Sequence, residues 1–161
     1  MPDGPRVNAP DYDDDFYAWT QHQAAVLRSM PTADNRFDRE NVAEEIESLG
    51  RDQRDAVRSQ VRRVIEHFLK LQYSPAREPR SGWMGSVVEA RAALEDRMSA
   101  TLRSAIEAEL SRLYRVGRKQ AALGMEPYGE TNAAAVLPAV CPYTLAEICR
   151  DDWYPEPLEQ P

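Results

Sequence analysis

The sequence predicts an all-helical fold: one domain built as a bundle of four to five helices around one long central helix. Three observations carry this. Apolar residues between positions 37 and 73 recur at steps of three and four, the period of one helical face. Glycine is sparse, seven in 161 residues, and long β-branched runs are missing, whereas Ala, Leu, Arg and Glu abound. Prolines cluster between the periodic stretches rather than inside them.

The central helix is predicted over Phe37–Tyr73. Asp38 can accept from the free N–H groups of the first turn, and Phe37 can pack on Val42 as a hydrophobic staple. Val42, Ile46, Leu49, Ala56, Val57, Val61, Val64, Phe68 and Leu71 then make one stripe, expected to form the core. Ser74-Pro75 ends the helix, because proline lacks the N–H and forces its predecessor out of helical geometry. Gly50 costs about 1 kcal/mol against Ala in a helix interior and marks where a kink would fall.

The other elements follow in chain order. Residues 1–12 read as a flexible arm. A first helix is expected from Asp13 to Met30, with Phe16, Trp19, Val26, Leu27 and Met30 on its apolar face and Asp13, Asp14 and Asp15 at its positive end. A short turn would make it the antiparallel neighbour of the central helix. After the connection at 74–82, Val87, Val88, Leu94 and Met98 mark a third helix. Leu102 to Leu123 mark a fourth, with a boundary near Ser99 and Gly124 as its C-terminal cap. Residues 125–143 read as a crossing segment on the core. Thr144 and Glu147 form a capping box for a last short helix. Trp153 and Tyr154 would pin the terminus, leaving 156–161 frayed. The domain proper is thus expected over 13–155.

Charge excludes more than it identifies. Residues 1–50 carry 4 basic and 11 acidic groups, residues 51–103 carry 11 and 7, and residues 104–161 carry 5 and 9. Acidic ends around a basic middle suit a protein partner or self-association, and a nucleic-acid partner is not expected of so acidic a chain. No apolar run approaches the ~18 residues of a membrane span, and the N-terminus lacks a signal-peptide pattern, so a soluble, cytoplasmic protein without membrane association is expected. Cys141 and Cys149, eight apart, match no zinc pattern and read as reduced packing residues.

Two constellations are candidates for function. Glu44, Glu45, Glu47 and His67 could serve acid/base or metal chemistry, but no Glu-x-x-His pair accompanies them, and an acidic face at a helix start explains the glutamates equally well. His67 falls within the apolar stripe and reads as a buried neutral imidazole with one hydrogen-bond partner, or as a titrating group paired with Glu45 or one of Asp13 to Asp15. Arg51, Arg54, Arg58 and Arg62 form a basic stripe roughly opposite the apolar one, a candidate partner surface or a solvated face with ion pairs. No cofactor or metal is expected.

Four phrases in order, DDDFYAWTQHQAAVLR, ENVAEEIESLGRDQR, HFLKLQYSP and CPYTLAEI, resemble the bacterial "domain of unknown function 29" family over residues 12 to 155. Leu71 stands where that family often has Trp. The resemblance implies a small helical bacterial protein and brings no established activity, cofactor or catalytic residue. It draws attention to Trp19, Glu44, Glu45, Glu47, Gly50, Arg51, His67, Lys70, Tyr73 and Cys141. The leading expectation is a helical interaction module without enzymatic activity. The alternatives are a metal-dependent or acid/base enzyme using the Glu/His cluster and a nucleic-acid-associated or antitoxin-like regulator.

Overall fold

A computed structural model describes residues 9–32 and 34–158. Among them six α-helices follow one another and no strand occurs: α1 (Phe16–Ser29), α2 (Arg39–Tyr73), α3 (Arg80–Arg97), α4 (Ala100–Met125), α5 (Thr131–Ala135) and α6 (Leu145–Cys149). The helix expected at 37–73 is α2, 35 residues long and continuous through Gly50. Asp38 does cap it, its carboxylate accepting from the Asn41 N–H at 3.2 Å. Contacts divide the chain into two compact units. One runs up to Ala56 and takes in Ser99–Ser104; the other comprises Val57–Met98 and the chain from Ala105 on.

In the first unit α1 starts later than expected. Asp15 is its N-cap, accepting from the Ala18 N–H at 2.9 Å, so Asp13 and Asp14 precede the helix rather than fill its first turn. The same carboxylate accepts from the Thr101 N–H at 3.1 Å at the start of α4. Burial alone would raise its pKa, but the Ala18 N–H and the side-chain and backbone donors of Thr101, with the Ser99 side chain, win and hold it below the usual range. Of the arm, residues 1–8 lie outside the described residues; Tyr12 packs edge-on against Phe16 and Trp19.

In the second unit the latter half of α2 supplies the core with Val57, Val61, Val64, Ile65, Phe68, Leu69 and Leu71. Five of these were placed on the apolar stripe by their spacing. The extended backbone of Met98 ends α3; α4 starts in the first unit, where the Ser99 hydroxyl caps it by accepting from the Leu102 N–H. Gly124 is not the cap of α4. The helix runs on to Met125 and a 3₁₀ turn at Glu126–Tyr128, and Gly129, at φ +74°, takes the left-handed closing position. Gly124 instead leaves room for Lys70: a Cβ there would stand 2.6 Å from the Lys70 ammonium.

The crossing segment is held by Tyr114, whose hydroxyl donates to the Pro138 carbonyl at 2.6 Å and whose pKa burial pushes up to about 12. The capping box at α6 is complete, with Thr144 and Glu147 bonding reciprocally. Trp153 and Tyr154 pack on the Phe68 ring, as does Tyr143. Residues 159–161 of the expected frayed tail lie outside the described residues, while Leu158 donates its N–H to the Gln72 carbonyl.

Arg91 locks this end of the chain. It is 3% exposed, and its guanidinium donates to four carbonyls, those of Glu147, Ile148, Asp151 and Trp153, at 2.8–3.1 Å. It also lies over the rings of Phe68 and Tyr154. Burial lowers its pKa from the usual value.

Candidate partner surface

The rotation of α2 about its own axis in the first unit decides which side chains are available. On α1 the buried positions are Thr20 and Ala24; on the facing part of α2 they are Ala43 and Gly50. The approach is close: a Cβ on Gly50 would stand 2.1 Å from the Thr20 hydroxyl and 2.9 Å from the Gln21 amide. An ion-pair ladder fixes the same orientation. Arg28, in the last turn of α1, reaches Glu40 at 2.9 Å, Glu44 at 3.3 Å and Glu47 at 2.8 Å, all on α2. Small residues at a seam let two helix backbones approach, and the arginine fork spans the edge beside them.

The apolar side chains one residue away, about 100° round the helix, are therefore left outside. Val42 is 38% exposed, Leu49 is 53% exposed, and Ile46 is half-buried. With Asn41 and Glu45 they line a shallow groove of about 320 Å³. The expectation that this part of the stripe is core is corrected here: the stripe is core only from Val57 onward. Phe37 is exposed too, so the proposed staple with Val42 leaves both members open to solvent. Val26 on α1 and Met30, its C-cap, are likewise exposed rather than buried.

The predicted polar constellations fare differently. Glu44 and Glu47 belong to the ladder, and Arg51 adds to it by pairing with Glu44 at 2.5 Å. Glu45 projects to the groove. Glu44, Glu45 and Glu47 belong to the first unit and His67 to the second, twenty residues beyond Glu47 in the chain. Among the described residues no group of three or more His, Cys, Asp or Glu side chains is arranged to hold a metal ion.

The basic stripe is drawn inward. Arg54 leans over the Tyr17 ring, Arg58 makes a two-pronged pair with Glu109 at 2.6 and 2.8 Å, and Arg62 is half-buried. Glu109 is held below its usual pKa: burial opposes this, but Arg58 and Arg112 outweigh it. Cys141 and Cys149 are half-buried free thiols.

His67 is half-buried, with Nδ1 lacking a hydrogen-bond partner, so the single partner expected for it is not found at that nitrogen. Burial depresses its pKa below 6.5; Glu66 opposes the shift and Lys70 and Arg63 add to it. The folded chain thus refuses a proton that the unfolded chain accepts. Its contribution to stability is present above pH 6.5 and is lost as pH falls. A proton NMR titration should place the His67 midpoint below 6.5, and His67→Gln should flatten the fall in melting temperature between pH 7 and 5.5. A midpoint at or above 6.5 would remove the burial argument.

A second concavity lies at the end of α2 in the second unit, about 960 Å³, with Lys70, Arg77, Trp83 and Glu130 among its walls. Its buried cation, Lys70, already pairs with Glu66 at 2.6 Å. Sequence reasoning singled out Lys70 by motif but missed this pair, whose i, i+4 spacing was there to read. It also missed the exposed stripe; the signal was Ala43 and Gly50, seven apart, marking a small-residue seam beside the large apolar residues.

Comparison with known proteins adds fold and family. No curated protein matches the chain. A crystal structure of an α-helical protein of unknown function from Rhodospirillum rubrum, determined at 1.45 Å resolution, is similar with a TM-score of 0.80 and 23% identity, covering 91% of this chain and 93% of that one. At that identity the likeness speaks for the fold. A family model, "Domain of unknown function DUF29", matches residues 12–154, a span that takes in all four motif phrases, and the chain therefore belongs to the DUF29 family.

Proposed function

We propose that this protein works by binding another protein through the exposed apolar stripe of α2, as a helical interaction module with no catalysis of its own. The observation that supports this reading is Val42, Ile46 and Leu49 standing open at helical spacing on one continuous helix, where a face of large apolar residues favours association. The acid/base and metal reading needs Glu44, Glu45, Glu47 and His67 together, whereas Glu44 and Glu47 are engaged by Arg28. A nucleic-acid reading needs free cations, and Arg51 and Arg58 already face carboxylates. No helix among the described residues is long and apolar enough to cross a membrane; we place the protein's work in the cytoplasm.

The test is paired capture from the native cell extract with wild-type bait and with a Val42→Gln/Leu49→Gln bait. Both positions are exposed, so the double variant should melt within a few degrees of wild type. A near-stoichiometric partner recovered by the first bait and lost by the second is the expected result. Equal recovery by both would sink the reading.

A further inference from the structure

The charges along the border of the stripe decide what can cover it. Glu45 lines the groove, and Asp52 lies two turns further on the same side of α2, one turn beyond Leu49. Both are exposed, and neither has an ion pair or hydrogen bond among the described residues. The other glutamates of this half-helix are ion-paired but outnumber their partners: Glu40, Glu44 and Glu47 share Arg28, and Glu44 also meets Arg51. Of the cations nearby, Arg36 pairs with Asp34, whereas Arg39 donates to the neutral Met30 carbonyl and keeps its charge, and Arg51 also feels Asp52. Five carboxylates, Glu40, Glu44, Glu45, Glu47 and Asp52, thus stand against three guanidiniums, Arg28, Arg39 and Arg51, and the border carrying Glu45 and Asp52 is left net negative.

Resting on the interaction reading above, we infer that the occupant is an amphipathic helix of another protein whose apolar face is flanked by Lys or Arg. Val42, Ile46 and Leu49 are anchors at i, i+4 and i+7, spanning about 10 Å of helix, the repeat that a second helix matches with its own apolar row. Flanking cations would then meet Glu45 and Asp52, pairs that steer encounter and select against acidic competitors. A second copy of this face is disfavoured. Laid parallel about a two-fold axis, Glu45 meets Glu45; laid antiparallel about Ile46, Asp52 falls opposite Glu40 and Asn41. An anionic lipid surface is repelled by the same border.

Two fluorescein-labelled 14-residue helical peptides with identical Leu spacing, one bordered by Lys and one by Glu, are titrated with the full chain in fluorescence anisotropy. The Lys-bordered peptide should bind at least 10-fold more tightly than its counterpart. Leu49→Gln and Glu45→Lys/Asp52→Lys should each weaken it 10-fold or more, and the charge-reversed variant should gain affinity for the Glu-bordered peptide. Because the whole chain is acidic, Glu89→Lys/Glu95→Lys, an equal charge change at exposed positions on α3, serves as control and should retain binding. Equal binding of both peptides, lost in Leu49→Gln, would overturn the basic partner and leave the interaction module standing. A concentration-dependent dimer in sedimentation that Leu49→Gln abolishes would do the same in favour of a second copy. Binding of the Lys-bordered peptide that none of the stripe variants alters would overturn the inference outright; the paired capture would still judge the module reading separately.

Discussion

Arg91→Met is expected to destabilise the protein by about 3–4 kcal/mol, read as a lowered urea midpoint at unchanged slope. Methionine fills much of the volume but donates nothing, so the carbonyls of Glu147, Ile148, Asp151 and Trp153 lose their shared donor together. Each unmade bond to a buried carbonyl costs about 1 kcal/mol or more; of the two carbonyls in the last turn of α6, that of Glu147 keeps a second donor, the Arg150 N–H at 3.3 Å, while that of Ile148 depends on Arg91. Loss of the cation over Phe68 and Tyr154 adds to this. Against a typical total of 5–15 kcal/mol, such a loss is a large fraction. Hydrogen exchange should rise first in residues 147–154. Arg91→Lys should fall between, since an ammonium keeps the charge but lacks the planar fork that spans four acceptors. A loss under 1 kcal/mol for Arg91→Met would mean that the segment is held by its aromatic residues alone.

Gly50→Ala should cost about 2–3 kcal/mol, although alanine is favoured over glycine by about 1 kcal/mol inside an exposed helix. The new methyl would overlap the Thr20 hydroxyl, which is buried and tied to the Tyr17 carbonyl at 2.7 Å. Thr20 has no room to swing aside without breaking that bond. Thr20→Ala removes the oxygen, and the next neighbours are Gln21 Nε2 at 2.9 Å, at the end of a flexible side chain, and Thr20 Cβ at 3.2 Å. The double variant should therefore recover part of the loss, a coupling of at least ~1 kcal/mol in a double-mutant cycle by thermal or urea unfolding. If Gly50→Ala instead stabilises, α1 and α2 do not meet at this seam, and the exposure of Val42 and Leu49 loses its cause.

These two residues mark where the sequence was legible and where it was not. Helix existence was plain, because periodicity, Asp38, Pro75, Ser99 and the Thr144–Glu147 box are local signals and local chemistry obeys them. Helix rotation was not. Hydrophobicity points Val42, Ile46 and Leu49 inward, but Ala43, Gly50 and the Arg28 ladder, acting across twelve to nineteen residues of chain, turn the helix by about one residue. In the latter half of α2 the large apolar residues are the core, as their spacing says. Arg91 escaped notice for a related reason: an arginine among Val87, Ala90 and Leu94 reads as a border residue until the carbonyls it serves, 56 to 62 positions away, are in place. Gly124 was assigned to a cap because glycine usually ends helices, whereas here its missing side chain makes space for an ammonium.

The carboxylate of Asp15 serves two helix starts, at Ala18 and at Thr101. On a ribosome that delivers about 5–20 residues per second, the amino-terminal segment must wait several seconds for its last piece to emerge. Until then the backbone donor at Thr101 is still unsynthesised and the first pair of helices is incomplete, so a nascent chain halted before that point should be more open to protease around Asp15 than the finished one.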